Sequence, residues 1–228
     1  MPSVTVVIPA LNEELAIEDT IQKIPREDLE SSGFPTEVLV VDNGSTDKTA
    51  EYATGAGARV IAQPNRGYGW ALWTGFVNAE GDIIVTIDAD MTYPADMIPD
   101  LVNTLVEKDL DFLTTNRFAQ MESGAMNWRN QFGNRVLSLA ARVLFQIPFV
   151  DSQSGMWVFR RAILEKIKLR SRGMPLSEEI KIEAAYFAKL RCIEVPIPYA
   201  RRQGPVKLRA WRDGMENLLY LFYKRVRR

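Results

Sequence analysis

Histidine is missing altogether from the 228 residues, and cysteine occurs once, at Cys192. The first absence removes serine–histidine and cysteine–histidine catalysis, histidine metal sites and an imidazole general base. The second removes an internal disulfide and any cysteine metal cluster. Cys192 sits in Leu190-Arg191-Cys192-Ile193, the surroundings of a buried structural thiol. No run reaches the roughly 18 to 20 apolar residues that span a bilayer, and the first residues lack the basic start and apolar core of a signal peptide. An excess of one charge is lacking too. Lys and Arg number 28 against 29 Asp and Glu, a formal charge of −1, which sets aside a generic nucleic-acid binder. The chemistry must rest on carboxylates, arginine or lysine, backbone dipoles and a hard metal ion.

What is present is ordinary for a globular chain: 46% hydrophobic and 25% charged residues, enough for one large α/β domain. Short β-branched runs alternate with helical patterns. Strands are expected over Ser3 to Pro9, Glu37 to Asp42, Arg59 to Ala62 and Asp82 to Asp88. Helices are expected from an Asn12 cap to about Ile24, from Lys48 to about Gly55, from Gly67 to Asn78 and from Pro94 to Val106. Beyond a strand at Asp111 to Thr115, the pattern predicts a long helix over Ala125 to Phe145 and a strand over Gly155 to Phe159. A helix over Leu176 to Leu190, a strand over Cys192 to Ile197 and a last helix over Leu208 to Val226 follow. Strands apolar throughout and separated by helices imply a mainly parallel, Rossmann-like sheet with helices on both faces. Ligands of such sheets sit beyond the carboxyl ends of the strands. Asn12-Glu13, Asp42 to Asp47 and Asp88 to Asp90 all fall there and should meet in one crevice.

Asp88-Ala89-Asp90 is the sharpest signal. Two carboxylates just past an apolar strand suit a hard divalent cation, Mg2+ or Mn2+, which shares a diphosphate readily. A solvated turn is the alternative for the motif alone. Asp42 ends the second strand, where a carboxylate can accept from a nucleobase N–H or a ribose hydroxyl, and Gly44 allows close backbone approach. Asp47 reads as a cap.

Four motifs occur in order: Val7-Ile8-Pro9-Ala10-Leu11-Asn12-Glu13, Val41-Asp42-Asn43-Gly44-Ser45-Thr46-Asp47, Asn65-Arg66-Gly67-Tyr68-Gly69 and Asp88-Ala89-Asp90. Together, and over nearly the whole chain, they resemble the inverting family 2 glycosyltransferases of the GT-A fold, most of all the polyprenyl-phosphate (dolichyl-phosphate) mannose and glucose synthases. That resemblance implies a single domain over 1–228, with a nucleotide-sugar-binding half at 1–115, an acceptor-side half at 116–208 and an amphipathic basic helix at 209–228. It implies that Pro9, Leu11, Glu13, Val40, Asp42, Gly44 and Asn65 contact the donor, and that Asp88, Ala89 and Asp90 hold metal and diphosphate. Arg117 matches the arginine that meets the acceptor phosphate, with Arg135 and Ser138 completing that site. Arg129 competes with Arg135, whose other reading is a solvated face or an ion pair. Arg201 and Lys207 match basic residues that close over the donor diphosphate. Asp151-Ser152-Gln153-Ser154-Gly155 matches a turn bordering the acceptor cleft, with a mostly structural role.

Two departures bear on specificity. Thr92 stands where the mannose synthases often carry a Gln near the metal, which implies fewer protein ligands to the ion. Leu11 replaces an aromatic and Asn43 an Asp near the base, so uridine and guanosine both stay open. The Gln-x-x-Arg-Trp signature of processive synthases is absent, since Arg135 is followed by Val136. The expected reaction is transfer of one sugar from a nucleotide-diphosphate donor to a polyprenyl phosphate at the cytoplasmic face of a membrane. A lipid phosphate is already anionic and needs positioning rather than a base; Asp151, Glu178 and Glu179 remain as candidate bases for a hydroxyl acceptor. Transfer to a sugar or protein hydroxyl, nucleotidyl transfer and a non-catalytic sensor are the competing readings. Met215 to Tyr223 followed by Lys224-Arg225-Val226-Arg227-Arg228 suits a membrane surface, or else a core-packed helix with a solvated tail.

Overall fold

The computed structural model describes residues 2–205 and 210–227. Seven strands form one sheet in the order β3-β2-β1-β4-β6-β5-β7. β1 (Val4–Ala10), β2 (Thr36–Asp42), β3 (Arg59–Ala62) and β4 (Ile83–Thr86) run parallel, as expected of apolar strands joined by helical crossovers. β6 (Trp157–Arg160) enters between β4 and β5 (Phe112–Met121) antiparallel to both, and β7 (Cys192–Tyr199) closes the edge parallel to β5.

Alternation along each strand divides the core into two layers. Val6, Ile8, Val38, Val40 and Val85 pack on one face against α1 (Ile17–Gln22), α2 (Arg26–Ser31) and α5 (Ile98–Glu107), through Ile17, Ile21, Leu29, Leu101 and Leu105. Val7, Leu39, Val41 and Ile84 pack on the other against Leu72 and Phe76 of α4 (Tyr68–Asn78) and Leu176 and Ile180 of α7 (Leu176–Ile182). The register of β1 on β2 and β4 puts Ala10, Asp42 and the stretch after Thr86 at one edge, so the polar strand ends do share a crevice.

Several expected boundaries move, for local reasons. Asn12 does not cap the first helix, which starts five residues later. It adopts φ 53°, a left-handed conformation asparagine tolerates, and its Oδ1 accepts the Thr46 N–H at 2.8 Å. The helix expected to reach Ile24 ends at Gln22, and a second one starts after Pro25. A 3-10 turn at Ala95–Met97 precedes α5, and α3 (Thr49–Gly55) begins beside the Asp47 cap, whose Oδ1 accepts the Thr49 N–H at 3.0 Å. α6 (Trp128–Phe145) is capped by Asn127, whose side chain accepts the Asn130 N–H. The helix expected over Leu176 to Leu190 is α7 followed by a π turn over Glu183–Phe187, and Lys189 takes φ 52°. α8 (Ala210–Val226) packs on α6.

Candidate active site

The crevice is built from the ends of β1, β2 and β4. Asp42 accepts the Ser45 N–H at 3.1 Å, closing the turn in which Gly44 takes φ +85°. Asn43 is buried and joins three backbones: its Nδ2 donates to the carbonyls of Gln63 (3.0 Å) and Asn65 (2.7 Å), and its Oδ1 accepts the Gly67 N–H (2.7 Å). An aspartate could not donate either of the first two bonds. Asn65 is exposed beside this knot, while Pro9, near the end of β1, and Leu11, just after it, stay half-buried. Val40, expected to line the donor pocket, has its side chain fully buried in the core layer on α1 and α3, which leaves only its backbone to face a donor. Val40 and Asp42 share one face of β2, but Asp42 is the last residue of the strand and half-buried, whereas Val40 lies within the packed layer.

Asp90 is buried with both oxygens engaged. Its Oδ1 accepts from the Thr92 hydroxyl (2.6 Å) and N–H (3.1 Å), and its Oδ2 accepts from Arg202 Nη1. Thr92 therefore orients the carboxylate. Asp88, half-buried, receives one hydrogen bond, from the Tyr68 hydroxyl to Oδ1 at 3.2 Å, and none from a described residue at Oδ2. Crowding by protein, with the charge of Asp90 added, pushes the Asp88 carboxyl up to about 7. Gly155 makes this possible, since a Cβ there would lie 2.8 Å from the Tyr68 hydroxyl and 3.3 Å from Asp88 Oδ1.

This donor set fits a divalent cation sharing its coordination with a diphosphate. Two carboxylates converge, one of them short of partners, and among the described residues no three acidic or cysteine side chains form a cage that would hold an ion alone.

Across the crevice Arg117 is buried and clamped by Asp151: Nε to Oδ2 at 2.7 Å, Nη2 to Oδ1 at 2.8 Å, with the Arg117 N–H also on Oδ2 at 3.1 Å. Nη1 carries no hydrogen bond to a described residue. The guanidinium lies over the Tyr199 ring at 5.4 Å, and Tyr199 meets Tyr93 edge-on at 5.3 Å. Tyr93 in turn accepts the Gly155 N–H at 2.6 Å. Arg117 and the two aspartates thus share one aromatic wall, close enough for Arg117 to act on the charge of Asp88. Burial opposes the Arg117 charge, and Asp151 outweighs it, holding the guanidinium well above its usual value.

Ser138 is buried and accepts the Ser152 N–H at 2.9 Å, bracing the 151–155 turn. Arg135 is exposed over the Phe118 ring (5.4 Å) and Arg129 is exposed over Trp128 (5.5 Å). Arg201, expected over the diphosphate, turns away, donating from Nη2 to the Ser123 carbonyl at 2.7 Å. Its neighbour Arg202 reaches the carboxylates instead, from Nη1 to Asp90 and from Nη2 to Glu13, with Nε on the Pro205 carbonyl at 3.0 Å. Lys207 lies outside the described residues. Sequence reasoning missed Arg202, Tyr68, Tyr93, Tyr199 and Lys181. The Lys181 ammonium is fully buried under the 151–155 turn and donates to the carbonyls of Ser152 (2.9 Å), Ser154 (2.7 Å) and Ser177 (3.0 Å). Burial pulls its pKa down to about 7, while three carbonyl acceptors call for the charged form.

The sequence profile of glycosyl transferase family 2 matches residues 5–168. The chain belongs to that family. It is 35% identical over 225 residues to the low-salt glycan biosynthesis hexosyltransferase Agl6 of Haloferax volcanii, covering 96% of this chain and 53% of that protein. It is 33% identical over 209 residues to the dolichyl-phosphate hexose transferase of the same organism, covering 92% and 88%. To the undecaprenyl-phosphate 4-deoxy-4-formamido-L-arabinose transferase of Pseudomonas aeruginosa it is 30% identical over 226 residues, covering 95% and 63%. The chain thus spans about half the length of the first of these relatives. Among solved structures, glucosyl-3-phosphoglycerate synthase from Mycobacterium tuberculosis with UDP superposes at a TM-score of 0.80 and 22% identity, covering 99% of this chain and 80% of that one. The likeness is one of fold, and it places this family 2 glycosyltransferase in the GT-A class expected from its motifs.

Proposed function

We propose that this family 2 glycosyltransferase moves one sugar from a nucleoside-diphosphate donor to a polyprenyl phosphate at the cytoplasmic face of a membrane. The observation that carries the choice of acceptor is the fate of the carboxylates. Asp151, Glu178 and Glu179, the candidate bases in the sequence, are all 0% exposed. Asp151 is consumed by Arg117, and Glu179 by the N–H groups of Arg170 and Ser171, the Tyr220 hydroxyl and Lys224. A hydroxyl acceptor would need a base that these groups do not offer, whereas a phosphate monoester brings its own negative oxygen. The names of the dolichyl- and undecaprenyl-phosphate relatives support the same acceptor.

In this reading Asp42, Gly44 and Glu13 border the nucleoside and Asp88 and Asp90 hold Mg2+ or Mn2+. When bound, the ion neutralises charge gathering on the leaving diphosphate. Arg117 offers its remaining Nη1 to the acceptor phosphate, with Asp151 fixing the plane of the guanidinium and Arg135 or Arg129 adding charge from α6. A phosphate oxygen then attacks the anomeric carbon opposite the diphosphate, which inverts configuration.

The surface supports delivery from a membrane. α6 leaves Trp128, Phe132, Val136, Leu139 and Val143 exposed, and α8 leaves Trp211, Met215, Leu219, Phe222 and Val226 exposed. Each set follows the i, i+4, i+8, i+11, i+15 spacing of one helical face. Two packed helices with such outer stripes, flanked by Arg129, Arg135, Arg142, Arg212 and Arg225, suit an interface with anionic headgroups. No helix among the described residues is long and apolar enough to cross a membrane. Lys224 does not join the basic surface: it is buried, with its Nζ 2.7 Å from Glu179 and 2.6 Å from Glu183.

The test supplies labelled UDP- and GDP-sugars, Mn2+ and dolichyl or undecaprenyl phosphate in vesicles. The expected product partitions into organic solvent and releases its sugar in mild acid. Label on water-soluble acceptors alone refutes the lipid reading.

A further inference from the structure

Arg202 sits where a bound cation would have to act. Asp90 has two carboxylate oxygens: Thr92 occupies Oδ1 with two hydrogen bonds, and Arg202 Nη1 occupies Oδ2. The other end of the same guanidinium is bonded to Glu13, a buried carboxylate three residues past β1, so Arg202 bridges two acids across the mouth of the donor crevice. Its charge also reaches Asp88. The backbone that carries it is tied down on the same turn. The Ala200 N–H donates to the Thr92 carbonyl at 3.0 Å, the Gln203 N–H to the Asp90 carbonyl at 3.0 Å, and Arg202 Nε to the Pro205 carbonyl at 3.0 Å. Gly204, at φ +85°, brings this strap over Glu13, since a Cβ there would lie 3.8 Å from Glu13 Oε2.

We infer that Arg202 is an internal counter-cation that holds the Asp90 coordination position in the donor-free enzyme, so that a divalent ion enters only when a diphosphate draws the arginine off. This inference rests on the reading of Asp88 and Asp90 as the metal site and goes beyond it, because it assigns the order in which charge enters. The argument is one of occupancy. A cation at Asp90 Oδ2 would sit against the guanidinium charge already bonded there, and a bare ion offers Arg202 no new partner in exchange. A metal–diphosphate complex does, because Arg202 can transfer its bidentate donors from carboxylates to phosphate oxygens a short distance away. The strap then remains closed over the donor with its arginine re-paired. Arg202 would thereby select the metal–nucleotide complex over free metal, and it is a binding-order residue rather than a group that touches the reacting bond.

Mn2+ binding followed by electron paramagnetic resonance tests this without any turnover. For the wild-type protein, Mn2+ alone should bind weakly, and UDP or GDP should tighten it. Arg202→Gln removes the competing charge, and its affinity for Mn2+ alone should rise at least tenfold. Arg202→Lys keeps a cation but loses the two-ended fork that places one nitrogen on each carboxylate, so it should fall between them. Arg201→Gln, whose guanidinium lies on Ser123, should match the wild type. Melting curves add a second readout: Mn2+ without nucleotide should raise the Tm of Arg202→Gln more than that of the wild type. Equal or weaker Mn2+ binding by Arg202→Gln in the absence of nucleotide overturns the inference even if the nucleotide still recruits metal normally. Absence of Mn2+ binding in every protein, with and without nucleotide, overturns the metal site and the inference together.

Discussion

Replacing Asp151 by Asn should be among the most destabilising changes available to this protein, and its size follows from the geometry of one ion pair. Asp151 is fully buried and takes three hydrogen bonds from Arg117, whose side chain is itself 8% exposed. Removing one partner of such a pair leaves an uncompensated charge in the interior, which costs about 3 to 5 kcal/mol. In a chain of 150 to 250 residues each kcal/mol moves the Tm by about 2 to 4 °C, so the fall should be about 6 to 20 °C. The pH dependence has a definite sign. Burial raises the Asp151 pKa, but Arg117 outweighs it and holds the carboxyl below its ordinary value. A carboxylate depressed in the folded state adds stability above its unfolded value, near 3.9, and loses that stability as pH falls below it. The gap between Asp151→Asn and the wild type should be flat from pH 5 to 8 and close only below about pH 4. Thermal unfolding by circular dichroism across that range is the assay. A loss under 2 °C, or a gap that closes near neutral pH, would refute the account of Arg117 as a buried, clamped cation. Arg117→Met with Asp151→Leu removes both charges and should recover much of the lost stability without recovering transfer.

Other outcomes follow from single contacts. Gly155→Ala should displace Tyr68 or Asp88, lowering metal-dependent transfer in a protein that still folds; unchanged kcat would show that the close approach does not matter. Asn43→Asp points a carboxylate at the Gln63 and Asn65 carbonyls, costing about 1 to 3 kcal/mol and raising the KM for the donor, read by melting and by donor titration. Burial pushes Glu178 up to about 8, so the folded protein keeps a proton that the unfolded chain has released. That makes stability fall as pH rises from about 4.3 to 8. Glu178→Gln should remove this slope and gain on the wild type towards pH 8.5; parallel stability curves would contradict it.

The donor half was legible because its signals are local. β1, β2 and β4 are mostly apolar runs; Asp42 ends β2, and Asp88 and Asp90 follow β4 by two and four residues, where a parallel sheet gathers its ligands. The antiparallel entry of β6 was not legible, since a four-residue strand carries no sign of its direction. Arg117 with Asp151, and Lys224 with Glu179, join residues 34 and 45 apart, so only the fold shows that each charge is already paired. Arg201 and Arg202 differ by one position on a strap without periodicity. Which of them faces the carboxylates depends on how Ala200 and Gln203 hydrogen-bond to the Thr92 and Asp90 carbonyls. Val40 lies inside a strand that is apolar on both faces, so its side chain belongs to the core and only its backbone is left for the donor contact that the resemblance implies.

The central claim is that Asp88 and Asp90 bring a metal–diphosphate donor to a lipid phosphate. Its most direct test is organic-phase incorporation of label from a nucleotide-sugar into polyprenyl phosphate, with wild type and Asp90→Ala compared in Mn2+ and in chelator. The account expects label only with wild type and metal, and a folded Asp90→Ala protein, confirmed by its melting curve, that transfers none. Equal transfer by Asp90→Ala, or transfer by the wild type in chelator, would contradict it.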